Sequence, residues 1–530
     1  MAWRARAQAP AFDGDALAAA VPAVRETVYV LQERPQGRIG VGLGGELSSG
    51  LGAGSWALLG MLPPLYPEWL GERSFCETHK TRFAYVAGAM ANGIASTQLV
   101  SAMARNGCLG FFGAAGLSLG RVEAGISQLQ RELDPQRLPW GSNLIHSPAE
   151  PALEAAVADL YLRCGVRCVE ASAYMALTPA IVRYAASGLT RDAHGQIQRQ
   201  NQVFAKISRE EVARHFLLPA PTQMLADLVA TGQLCAAEAE LAREVPIAED
   251  ITVEADSGGH TDRRALSALL PTICRLRDQI CAERGYRRAP RVGAAGGLGT
   301  PAAVAAAFAM GAAYVQTGSV NQACVESGLG ESARVMLSQA DMSEVIMAPA
   351  ADMFELGVEV QVLRRGSMFA VRARKLYELY RAYSGWESIP SSEREKVETQ
   401  ILRASFAQSW EATRSFWLTR DPAQVDRAET DAKHLMALVF RSYLGLSSRW
   451  AIDGLSARSA DYQIWCGPAM GAFNHWVKGS FLEQPSQRGV VQVARNLMEG
   501  AAVVTRAQQL RSYGVAVPAR SFDFRPRPLG

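Results

Sequence analysis

Residues 291–319, RVGAAGGLGTPAAVAAAFAMGAAYVQTGS, constrain the fold more than any other stretch. Val292 to Ala295 are small and apolar, as a parallel strand buried on both faces requires. Gly296, Gly297 and Gly299 let the backbone pass close to a neighbour. Thr300-Pro301 then supplies a helix cap and a first-turn proline. Ala302 to Met310 reads as an alanine-rich helix that stops at Gly311. Ala313 to Gln316 is the next strand, and Thr317-Gly318-Ser319 is a second turn of small residues. One such turn is explained by tight packing alone. Two on consecutive strands, one opening a helix, match the phosphate cradle that (β/α)8 barrels carry after strands seven and eight.

Upstream, strand and helix patterns alternate regularly from about residue 82. The six earlier strands are Phe83–Ala87, Leu109–Phe112, Asn143–Ile145, Val166–Val169 (ending at Glu170), Gln202–Ile207 and Ile251–Glu254. Eight βα units predict a closed barrel, with an open doubly wound sheet as the alternative. The expected fold class is α/β, a TIM barrel with a small N-terminal segment and a large helical C-terminal insertion forming a lid. The expected divisions are an N-terminal segment over 1–78, the barrel over 79–345, the lid over 346–484, and a returning helix with its tail over 485–530. In the first part, Val28–Leu31 and Ile39–Gly42 flank a turn at Pro35-Gln36-Gly37 and read as a hairpin. Leu58 to Leu65, with Pro63-Pro64, reads as a loop or cap. In the last parts, helices are expected over Glu355–Ala382, Ser392–Arg420, Asp431–Leu444 and Gly489–Tyr513.

Net charge is +3. So near a balance carries no footprint of nucleic-acid binding and no polybasic membrane patch. No run approaches the length of a membrane span. Nine scattered cysteines without a CxxC pair, and an N-terminus without an apolar core, fit reduced cytoplasm. Motifs of hydrolases, P-loop kinases and metalloenzymes are absent, so no metal site is expected.

The loops that follow the strands form a barrel's catalytic face. There, Gly88-Ala89-Met90 can let a flat ring lie against backbone, with Met90 beneath it. Asn143 can hydrogen-bond a ring edge. Lys206 can sit beside a ring nitrogen that gains negative charge on reduction, or can simply pair with Glu170 on the adjacent strand. His260, in the glycine-bounded loop after strand six, is the leading acid/base candidate, with His146 second.

These residues carry a resemblance. GAMANG, SNLIH, SGGH, AAGGLGTPAAVAAAFAMGA and VQTGS resemble the flavin-dependent nitronate monooxygenase and FabK-type enoyl reductase superfamily. EADSGGHTDRR, APAADMFELGVEVQVLRRGSMFAVRARKLYELY, YLGLSSRW and DYQIWCGPAMGAFN are similar to the PfaD family. That family comprises stand-alone enoyl reductases of polyunsaturated fatty acid and trans-acyltransferase polyketide assembly lines. The likeness runs from about residue 25 to 515. It implies FMN as cofactor, NADPH as hydride donor, and an acyl carrier protein bearing an enoyl thioester as partner. It implies FMN contacts at Met90, Asn143, Lys206, Gly258, Gly259, Gly296, Gly297, Gln316, Thr317, Gly318 and Ser319, with His260 catalytic. One position departs: Val253-Glu254 stands where nitronate monooxygenases have a flavin-contacting glutamine. The other functions weighed are a nitronate or other flavin oxidase, a phosphate-binding barrel lyase or isomerase, and a silent scaffold. Arg364, Arg365, Arg372, Arg374 and Lys375 form the densest basic group of the lid. They read either as a solvated face or as the surface that meets an acidic carrier.

Overall fold

A computed structural model describes residues 1–148 and 150–530. Eight parallel strands close into a barrel. In chain order they are β1 (Tyr85–Ala87), β2 (Leu109–Phe112), β3 (Gly141–Ile145), β4 (Cys168–Ser172), β5 (Gln202–Ile207), β6 (Asp250–Glu254), β7 (Arg291–Ala295) and β8 (Val315–Thr317). Each of the eight expected strands is present. Closure comes from β8 lying parallel to β1, with Val315 opposite Tyr85. The β7 run is buried throughout, which explains its lack of polar alternation.

The lower end of the barrel is plugged by aromatic rings. Phe75 stacks on Tyr314 at 4.6 Å, and Phe204 meets Phe111 edge-on at 5.0 Å. Beneath them Asp250, fully buried, accepts two hydrogen bonds from Arg291 at 2.7 Å each and lies 2.9 Å from His79 Nε2. Burial pushes the Asp250 carboxyl up, but His79 and Arg291 outweigh it and hold it below the usual range. This cluster sits at the start of β6 and β7, away from the loops after the strands that carry a barrel's chemistry.

The N-terminal segment is a five-stranded sheet. Val28–Gln32 pairs with Ile39–Leu43 as the expected hairpin. It also pairs with Ser55–Leu62, which contradicts the loop expected there. The apolar run SWALLGML continues the sheet, and Pro63-Pro64 ends the strand, since proline cannot extend a ladder.

After the barrel, Val345–Pro349 and Glu359–Leu363 form an antiparallel hairpin. The helix expected from Glu355 therefore starts only at Phe369 and runs to Ala382. The stretch Val358–Val362 alternates apolar and polar residues with period two, which favours strand. Helices Phe406–Arg420 and Ala432–Asp453 follow. A separate apolar core joins them to the hairpin, with Trp386 stacked on Phe406 at 4.3 Å. The last helix, Val490–Ser512, returns to the barrel wall as expected. At Gly500 it comes so close to Pro301 that an added Cβ would lie 2.6 Å from the proline ring.

The basic group of this region is not a free face. Arg372 turns inward to pair with Asp461, which is fully buried and also accepts from Tyr443 Oη at 2.8 Å. Arg365 is half exposed and pairs with Glu344 at 2.9 Å; Lys375 pairs with Glu393 and Arg374 with Glu359. Arg372→Glu would set two carboxylates against each other in the core. It is expected to cost about 3–5 kcal/mol, whereas Arg365→Glu is expected to cost no more than about 1 kcal/mol. Urea unfolding of the two variants checks this.

Candidate active site

The loops after the eight strands surround a cavity of about 1430 Å³. All twelve residues singled out from the sequence line it, as does His146. Single-ligand pockets run to roughly 300–1,000 Å³, so this cavity has room for a cofactor and a substrate together.

At one side lies the small-residue turn pair. Gly296 and Gly297 after β7 have φ of +82° and +73°, which favours glycine. A Cβ on Gly297 or Gly318 would meet no atom within 4 Å, so both leave open backbone facing space. Thr300 caps helix Pro301–Ala309, its hydroxyl accepting from Ala303 N–H at 3.3 Å. Thr317 is committed to the protein, its Oγ1 lying 2.6 Å from Tyr85 Oη and accepting from Asn321 Nδ2 at 2.9 Å. Ser319 Oγ accepts from Gly467 N–H at 3.2 Å.

The barrel wall above is polar. Glu170, fully buried, accepts from Gln316 Nε2 at 2.6 Å and from Ala89 N–H at 3.1 Å. Burial raises its pKa, against the pull of Lys206. Lys206 does not hydrogen-bond Glu170. Its Nζ donates to Glu254 Oε1 at 3.1 Å, from β5 to β6. Lys206 pairs in register with Thr252, so Glu254, two residues on, shares its face of the sheet. Burial lowers the Lys206 pKa, but Glu254 and Glu170 outweigh it and hold the ammonium charged. Asn143 donates to Glu170 O at 2.9 Å and to Ser172 Oγ at 3.0 Å. Three buried atoms on the lining, Gln316 Oε1, Ser257 Oγ and His260 Nε2, have no hydrogen-bond partner among the described residues.

His260 stands at the rim. Its Nε2 lies 3.4 Å from Asp352 Oδ1, within ion-pair range but without hydrogen-bond alignment. Burial lowers its pKa, and the Asp352 carboxylate more than offsets this, so the imidazole stays protonated further toward neutral pH. His146 is held differently, with Nδ1 3.1 Å from buried Glu154 and its ring stacked on Tyr174 at 5.3 Å.

The C-terminal region builds the outer wall with Thr413, Phe416, Trp417, Leu438 and Arg441. It also grips the His260 loop. Gly259 and Gln361 exchange backbone hydrogen bonds at 3.0 and 2.8 Å, and Gln361 Nε2 donates to Asp256 Oδ1 and Ser257 O. Gly258 backs onto Cys466, where a Cβ would lie 2.7 Å from the backbone nitrogen. Sequence reasoning singled out neither Asp352 nor Gln361; both fall in the long motif APAADMFELGVEVQVLRRGSMFAVRARKLYELY quoted above, so the stretch was visible while these contacts were not.

A family profile described as nitronate monooxygenase matches residues 73–378. The chain belongs to the nitronate monooxygenase family. Within it, the chain groups with the PfaD-like branch. It is 48% identical over 451 residues to a polyunsaturated fatty acid synthase component of Thraustochytrium sp., covering 84% of this chain and 30% of that protein. It is 43% identical to polyketide biosynthesis protein PksE of Bacillus subtilis, covering 84% of this chain and 58% of the relative. The chain thus spans 30% and 58% of these two relatives. The crystal structure of the enoyl reductase domain of MlnA, from the macrolactin cluster of Bacillus amyloliquefaciens, superposes with a TM-score of 0.80 at 35% identity, covering 84% of this chain and 99% of that one. A second profile, the inserted helical domain of [acyl-carrier-protein] S-malonyltransferase, matches residues 383–462.

Proposed function

We propose that this chain is a trans-acting enoyl reductase of polyketide or polyunsaturated fatty acid synthesis. It reduces the 2,3 double bond of an enoyl thioester presented by an acyl carrier protein, with NADPH as reductant and FMN as cofactor. One observation carries the reading: a single large cavity joins an open glycine cradle, a half-buried cation and a histidine at the rim. The MlnA likeness supports the reaction, and the matched helical domain supports a carrier-borne substrate. The residues fit FMN. Gly297 and Gly318 leave room for its phosphate, the unpartnered Gln316 Oε1 and Ser257 Oγ can bond its polar edges, and Met90 can underlie its ring. FMN, when bound, supplies hydride transfer between NADPH and the β-carbon of the thioester.

The chain's own residues supply the rest. Lys206 keeps a positive charge beside the ring, with Glu254 and Glu170 preventing its deprotonation. His260 gives a proton to the α-carbon as negative charge collects on the thioester oxygen. Phe416, Trp417 and Leu438 exclude water above the barrel mouth. In this division of labour residues 79–345 hold the cofactor, 346–484 cover and admit the substrate, and 485–530 brace the barrel. All nine cysteines are free, which fits the cytoplasm.

The visible spectrum of the purified protein tests the reading. The expected result is flavin absorbance that NADPH bleaches readily, that oxygen restores only slowly, and that an enoyl thioester restores quickly. Protein that holds no flavin, or rapid oxygen turnover without enoyl reduction, would sink the proposal.

A further inference from the structure

We propose that Asp352, supplied from outside the barrel, is the positioning residue that holds the His260 side chain as a charged proton donor at the barrel mouth. This rests on the enoyl reductase reading for its chemistry, but not for its geometry. His260 follows β6, whereas Asp352 lies nearly a hundred positions later, in the loop between the two hairpin strands Val345–Pro349 and Glu359–Leu363. Asp352 Oδ1 lies 3.4 Å from His260 Nε2, and that buried nitrogen has no hydrogen-bond partner among the described residues.

Both halves of the pair are fixed to one frame. On the histidine side, the Gly259–Gln361 bridge ties the residue before His260 to the hairpin. On the aspartate side, Ala350 N–H donates to Val358 O at 2.9 Å, and Arg441 Nε donates to Ala351 O at 3.0 Å. Arg441 also reaches Glu355 at 3.1 Å. Helix Ala432–Asp453, which carries Arg441, therefore sets the loop that carries Asp352.

The other charges around His260 do not duplicate this contact. Lys206 from β5 opposes protonation of His260, and Glu254 from β6 favours it, but these two are bonded to each other at 3.1 Å. Asp262, two residues on, is engaged by Arg209 through two hydrogen bonds at 2.9 and 2.8 Å. Among the described residues, Asp352 is the carboxylate that reaches the ring nitrogen. On this proposal the acid is complete only when hairpin and barrel meet.

The test reads the histidine directly. His260 is titrated by NMR in the purified protein, its resonance assigned by its loss in His260→Gln. In wild type the midpoint is expected above that of a free histidine, and in Asp352→Asn it moves to lower pH. In turnover, the alkaline limb of the kcat profile moves the same way, so that activity lost at pH 8.5 is several-fold greater than activity lost at pH 6. Flavin reduction by NADPH stays at the wild-type rate, and Asp352→Glu restores the profile. Should Asp352→Asn fail to fold, Asp352→Ser is titrated instead. An unchanged His260 midpoint in the folded variant would overturn the proposal. If the protein reduces no enoyl thioester, the titration still decides whether Asp352 controls His260, so the two failures are distinct.

Discussion

The Gly318→Asp protein is expected to purify folded and colourless. Gly318 has φ −130°, a value open to any residue, and an added Cβ meets nothing within 4 Å. The Cβ of the new aspartate therefore strikes nothing in the protein. The side chain fills only the space that the cradle leaves open, with a negative charge directed at an anion. Gly297 is a poorer probe, because its φ of +73° would strain any side chain and confuse loss of binding with loss of structure. Gly299 is poorer still, since a Cβ there would collide with the backbone oxygen of Ala469. The expected contrast is wild type with bound flavin and Gly318→Asp with none, at equal circular dichroism. Absorbance against protein concentration measures it. Full flavin occupancy in the variant would remove the phosphate from this turn pair.

What the sequence made legible follows from the range of each interaction. The barrel could be read because each βα unit is local: a buried apolar strand, small-residue turn and helix announce themselves within about thirty residues. The pair of small-residue turns could be read for the same reason, with Gly297 and Gly318 both in one short segment. Pairings between units could not. Lys206 has a carboxylate on either side, Glu170 and Glu254, on the two neighbouring strands. Only the burial of Glu170 under Gln316 and Ala89 decides that Lys206 bonds Glu254. The shared helix face expected for Arg365 and Arg372 was misread in a related way. Helical spacing places Arg365 and Arg372 on one face, but Arg365 precedes the helix that begins at Phe369, and Arg372 turns in toward Asp461. The hairpin was lost to a wrong period assignment over Val358–Val362, and Asp352 was lost with it.

His260→Ala is expected to leave flavin bound and reducible by NADPH, while slowing reduction of the enoyl thioester by about 10²–10⁴-fold, the usual contribution of a general acid. Geometry separates the two half-reactions. The cradle at Gly297 and Gly318 and the cation at Lys206 belong to β5, β7 and β8, and none of them is hydrogen-bonded to His260 among the described residues. Reduction of the cofactor has no need of an acid at the rim. Reduction of the substrate does, because hydride delivered to the β-carbon leaves negative charge on the thioester that only a proton at the α-carbon removes. The raised pKa of His260 gives the sign of the pH dependence. The protonated donor is present below that pKa and disappears as pH rises through it, so wild-type turnover falls on the alkaline side and the Ala variant loses that limb. His146, locked to Glu154 and stacked on Tyr174, is not placed to substitute. Stopped-flow traces of each half-reaction, followed by flavin absorbance with a crotonyl-type thioester as oxidant, measure the difference. An oxidative half-reaction that ran at the wild-type rate in His260→Ala would assign the proton to solvent or to another group. A slowed reductive half-reaction would instead place His260 against the nicotinamide.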